Sequence, residues 1–189
     1  MELRDWITAE HEGVLARFDR SIVDVVPEER WRERAGDGGS SIAFLLFHTA
    51  YHADLASSSV LGGREALIAT WREWLGLGDL PAHAGLGETE DPALTAALDL
   101  HAARAYAVTV HEAISRWLSD ADLAALDAVP DSAAALAGAG VTSDAVPWLY
   151  SMWHGKPASF FLQWEAIGHR VNHVGEMISV RNRIGLSPF

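Results

Sequence analysis

Apolar residues recur at three-to-four spacing from the start of the chain, at Leu3, Ile7, Val14, Phe18, Ile22 and Val25, with charged residues between them. That period predicts one amphipathic helix over residues 3–25, ended ahead of Pro27. After the turn-rich stretch "RAGDGGS" (34–40), a second helix is expected from Ser40 or Ser41, either of which can cap it. It runs to about Val60, where "LGG" stops it. Residues 64–75 read as a short helix and 76–92 as a glycine-rich connection. A third long helix starts at Pro92 with Asp91 as its cap and continues through alanine-rich sequence to about Leu118. Residues 119–130 read as a short helical turn, and 131–156 as loop with one turn of helix. The last helix runs from Pro157 to about Ile184, closed by Gly185. The expected fold is all-α: a four-helix bundle in one domain over 1–189, with elaborated connections at 61–91 and 130–156.

Composition narrows the chemistry. Apolar residues make up 49% of the chain, enough for a packed core. Against 26 acidic side chains stand 14 basic ones, a net charge of −12, and no basic stripe carries interleaved aromatics. Nucleic acid is therefore not the expected partner. The chain has no cysteine, which excludes disulfides, thiolate ligands and a cysteine nucleophile. The start, "MELRDWITAEHEG", is charged and unlike a signal peptide. No apolar run reaches the roughly eighteen residues that a membrane span needs. The expectation is a soluble cytoplasmic protein with a small-molecule substrate.

Candidate ligands then have to be histidine or carboxylate. The stretch "AIGHRVNHVGEM" (166–177) carries His169 and His173 four apart, which puts both on one helix face, with Glu176 one turn on. That face is apolar at its ends and polar in its middle, a band that needs a metal or a hydrogen-bond network to satisfy it. In "SSIAFLLFHTAYHADL" the inward stripe runs Phe44, Leu45, His48, Tyr51, His52 and Leu55. His48 is either a satisfied core histidine or a third ligand that crosses the bundle to His169 and His173. Three neutral imidazoles suit Zn²⁺, Ni²⁺ or Fe²⁺. Glu176 either orients a ligand histidine or acts as a base, or else pairs with Arg170 or Arg183. Tyr51, His52 and Asn172 line a substrate pocket or simply pack, and His11, near the first helix's apolar stripe, lines the cavity or packs. The tryptophans read as core or dimer-contact anchors. Gly168 and Gly175 mark places where a neighbouring helix or a ligand comes close.

The serine-led helix "SSIAFLLFH", the downstream "HRVNHVGEM" and the closing "SVRNRIG" together resemble the DinB/YfiT-like superfamily. The resemblance is specific at 41–48 and 169–185. It implies a four-helix bundle in which His48, His169 and His173 hold a divalent metal, and a homodimer. It also implies thiol-dependent chemistry, since the group includes mycothiol-dependent maleylpyruvate isomerase and the bacillithiol S-transferases. The expectation is a metal-dependent enzyme that activates a low-molecular-weight thiol or water against a small electrophile. The alternatives are a metal-containing binding or structural protein, and a metal-dependent hydrolase.

Overall fold

The computed structural model describes residues 2–36 and 38–188, so Asp37 of the expected 34–40 turn lies outside the described residues. Every regular element among them is helical: α1 (Leu3–Phe18), α2 (Ile42–Asp54), α3 (Ile68–Trp71), α4 (Pro92–Ala97), α5 (Leu100–Asp120), α6 (Ser132–Gly138), α7 (Pro147–Trp153), α8 (Ala158–Phe160) and α9 (His169–Arg181). Wider π-helical turns extend several of them: Asp19–Val23 continues α1, Leu55–Leu61 continues α2, and Phe161–Gly168 joins α8 to α9. The junctions at Phe160 and His169 stay in the right-handed helical region, so one rod runs from Ala158 towards Gly185. There φ turns to +86° and the rod stops.

The fold is an all-helical bundle. The α2 helix packs against α5 and α9, and α1 closes the same two from the other side. The stripe expected on α2 is wider in the structure: every residue from Ile42 to Asp54 is buried, because helices and the 76–91 connection surround it. Ser41 caps α2, its Oγ accepting from Phe44 N–H at 3.2 Å.

Three expectations change. The helix expected from Pro92 to Leu118 is two helices. Asp91 caps α4, Leu98 is extended (ψ 121°), and Asp99 caps α5 by accepting from Ala102 N–H at 2.8 Å. The carbonyls freed at the break are taken by Arg32, which donates to Thr95 O at 3.0 Å and to Leu98 O. The 64–75 helix shrinks to α3, and the 131–156 segment holds two helices, α6 and α7, where loop with one turn of helix is expected.

Asp54 sits at the far end of α2, wholly buried. It accepts from Ser58 Oγ (2.8 Å), Tyr106 Oη (2.7 Å), and the Leu67 and Ile68 N–H groups (3.0 and 2.8 Å) at the start of α3. Burial and this carboxylate push the Tyr106 hydroxyl well above its ordinary pKa, so it stays a donor.

Candidate metal centre

Spacing of four on α9 and a central position on α2 bring three imidazoles together. His169 Nε2 lies 3.2 Å from His48 Nε2 and 3.0 Å from His173 Nε2. Donors held about 2.0–2.1 Å from one ion in a tetrahedral or octahedral shell stand about 2.8–3.4 Å apart. All three rings are buried, and meet edge to face.

The far sides of the rings assign the tautomers. His48 Nδ1 is 2.8 Å from the Gly85 carbonyl, and His173 Nδ1 is 2.8 Å from Glu176 Oε2. Both contacts require the Nδ1 to donate, which leaves both Nε2 atoms with bare lone pairs. His169 Nε2 can give one proton to one of them, so a lone-pair-on-lone-pair contact remains. Giving it would also leave a bare Nδ1 facing Glu165 Oε2 at 3.6 Å, and that Nδ1 is buried without a hydrogen-bond partner. The other tautomer points Nδ1–H at the carboxylate and leaves three bare Nε2 atoms facing one another. A divalent cation satisfies that arrangement, and the residues fit it. Burial, reinforced by His52 and His173, lowers the His48 pKa to about 3 despite the Gly85 carbonyl. Burial and the neighbouring histidines drive His169 lower still. The neutral imidazole is the ligand form.

Residues 76–91 close over this group. Gly85 has φ +86°, and a Cβ there would stand 2.5 Å from Phe47, so only glycine brings its carbonyl onto His48. The Leu86 carbonyl takes His52 Nε2–H at 2.9 Å, and Glu88, its side chain 69% exposed, reaches within 3.9 Å of His48 Nε2 and 3.7 Å of His173 Nε2. His52 also meets Glu165 Oε2 through Nδ1 at 3.2 Å. Burial alone would lower its pKa, but the Glu165 carboxylate, the Leu86 carbonyl and Glu88 outweigh burial and raise it. With both nitrogens donating, His52 is an imidazolium paired with a buried carboxylate, not a further ligand. Trp153 Nε1–H fixes the other oxygen of Glu165 at 2.6 Å.

The remaining candidates fall elsewhere. Tyr51 turns away from the trio and donates its hydroxyl to Ala82 O at 2.6 Å. Asn172 is exposed and lines a groove on the flank of α9. Neither glycine marks the approach of another helix: a notional Cβ on Gly168 would meet its own rod, Gln163 O at 3.1 Å and the Trp164 ring at 3.3 Å, and one on Gly175 faces open space. His11 belongs to a second group with Glu12 and His111. Its ring stacks on His111 with centroids 3.9 Å apart and planes 15° apart, so in-plane lone pairs of the two rings cannot converge on one ion. His11 Nε2–H donates to His111 O at 3.1 Å, and His111 lies between Glu12 and the Arg170 guanidinium.

This second pair makes stability sensitive to acid. Burial, then the positive neighbours His111 and Arg170, bring His11 down to about 3, and burial and Arg170 lower His111. The unfolded chain, with ordinary histidines near 6.5, then binds more protons than the native one below that pH. The contribution of this pair should be flat above pH 6.5 and fall towards pH 3, by up to about 1.4 kcal/mol per pH unit for each such group. Urea midpoints in chelator at pH 7.5 and 5 check it. The variant His11→Gln should fall less steeply, and an unchanged slope would count against the assignment.

Sequence reasoning missed five participants. Glu165 was signalled, since it precedes His169 by one helical turn as His169 precedes His173. Glu12 neighbours His11 in sequence, but its partner His111 is on another helix. Glu88 and the Gly85 and Leu86 carbonyls sit in a glycine-rich connection with no periodicity to read. Among the described residues no helix is long and apolar enough to cross a membrane. No family model matches the chain, and no curated protein matches it. A crystal structure of a conserved protein from Enterococcus faecalis has the same fold, with TM-score 0.67 at 19% identity over 97% of this chain and 98% of that one.

Proposed function

We propose that this chain is a divalent-metal-dependent enzyme that activates a low-molecular-weight thiol or water for attack on a small electrophile. The observation that carries it is the set of three Nε2 atoms 3.0–3.2 Å apart, with His48 and His173 each backed by an acceptor that forces the bare lone pair inward. His48, His169 and His173 would hold the ion, and their donor set suits Zn²⁺, Ni²⁺ or Fe²⁺. Bound there, the metal would supply Lewis acidity that keeps a coordinated thiol or water deprotonated near neutral pH.

A closed four-ligand shell would favour a structural ion. Both nitrogens of His52 are engaged, and Glu176 is taken up by His173. Among the described residues only Glu88 is placed to complete the shell, and it approaches from a solvent-exposed position that leaves the fourth place open to a small molecule. That side of the trio is therefore where a small molecule enters, and Glu88 is placed to take its proton. Glu176 and Glu165 hold the ligand histidines in orientation. The resemblance to the DinB/YfiT-like group adds the thiol to this reading, and it implies a homodimer.

Metal-loaded protein should consume a biological thiol in the presence of monochlorobimane faster than chelated protein or the His48→Ala variant. Inertness with every such thiol while stoichiometric metal is bound would sink the thiol-dependent reading and leave an ion that fastens α2 to α9.

A further inference from the structure

The last helical rod and α1 enclose a groove of about 490 Å³. Leu3, Trp6, Leu162, Trp164, Ile167 and Val171 give it an apolar lining, and its volume falls in the range of sites for small organic molecules, about 300–1,000 Å³. Leu3 and Trp6 at its rim are 54% and 48% exposed, an apolar surface left open to water on a strongly acidic chain. Among the described residues Glu10 is the one charged side chain in the lining, beside the amides of Gln163 and Asn172 and the Ser159 hydroxyl, and none of them supplies a cation to receive a carboxylate, sulfonate or phosphate.

One residue links this groove to the three histidines. Trp164 lines it and also stacks on the His169 ring, with centroids 5.7 Å apart and planes 26° apart. Gly168, between them in sequence, has no side chain to push that indole away.

We propose that the groove binds a neutral, largely apolar small molecule with an aromatic body, whose polar end is met by the Gln163 and Asn172 amides. The indole and Trp6 supply flat faces for it, and Glu10 excludes anions. Binding here does not depend on the metal-enzyme reading above, whose reacting molecule enters on the Glu88 side.

Two fluorescent probes of the same skeleton separate shape from charge: neutral N-phenylnaphthylamine and the anionic anilinonaphthalene sulfonate. The neutral probe should bind at one per chain, and the sulfonate at least about tenfold more weakly, since an anion there has Glu10 and no counter-charge. Val171→Trp, which fills the groove, and Trp6→Ala, which removes a wall at an exposed position, should each weaken the neutral probe by about tenfold with far-UV circular dichroism and metal content unchanged. His169→Ala should keep probe binding, so loss of the metal centre and loss of the groove are read apart. Equal binding of both probes, or binding indifferent to both groove variants, overturns the proposal. So does a light-scattering mass of two chains that Val171→Trp reduces to one, with no probe bound, because the occupant is then a second copy of the chain.

Discussion

Protein stripped with chelator and reloaded with Zn²⁺ or Ni²⁺ is expected to bind one ion per chain and to melt at a higher temperature. At a free metal concentration of 100 times Kd the gain is about 2.7 kcal/mol, or roughly 5–10 °C for a chain of this size. His169→Ala should lose both the stoichiometric metal and the thermal shift, because His169 Nε2 is the donor that faces the other two. Glu165→Gln should keep the stoichiometry and lose about 10–100-fold in affinity, since it removes the negative charge 3.6 Å behind His169 Nδ1 without removing a ligand. Elemental analysis and calorimetric melting measure these, with circular dichroism to show each variant folded. A wild-type protein that carries no ion after reconstitution with either metal removes the centre altogether.

The largest effect on stability is expected far from that centre, at Asp54. Its carboxylate takes four hydrogen bonds inside the core and joins α2, the Leu55–Leu61 turn, α3 and α5. Asp54→Ala leaves two hydroxyls and two backbone N–H groups to find partners in an apolar surrounding. The loss should be about 3–5 kcal/mol, a large part of the 5–15 kcal/mol that holds a typical domain together. Tyr106→Phe removes one of those bonds and its donor together, and should cost only about 1–2 kcal/mol. Urea unfolding at constant m-value gives both numbers. A cost below about 1 kcal/mol for Asp54→Ala would mean that the four donors re-pair or reach water.

Much of this arrangement was legible in the sequence where periodicity and caps spoke together. Ser41 ahead of an apolar run marked the start of α2, and Gly185 marked the end of the last rod. His169, His173 and His48 stood out because helical spacing fixes which residues share a face and an apolar stripe fixes which face turns inward. The break between α4 and α5 did not stand out, since alanine-rich sequence continues through it and its causes are remote. Asp99 competes as a cap, its N–H donates to Leu75 O at 3.0 Å, and Arg32 accepts the orphaned carbonyls' claims by donating to them. Within 131–156 the signals for α6 and α7 were present, Asp131 as a cap and Pro147 at a first turn, and short length masked them. Tyr51 and Asn172 show the limit of neighbour reasoning on a helix. Each stands within one turn of a candidate ligand, yet each faces a different hollow.

The 76–91 connection has a consequence for when the centre comes into being. His48 depends on a carbonyl 37 residues ahead and on an imidazole 121 residues ahead, and His52 on a carbonyl 34 residues ahead. Helices form from contacts a few residues apart, whereas these closures are long-range and costly in chain entropy, so they come late. A chain emerging from synthesis that has made α1 and α2 carries His48 with neither its orienting carbonyl nor its companions. The three-imidazole arrangement that could hold an ion is thus expected only in the finished molecule, with α2, the 76–91 connection and the last rod all in place.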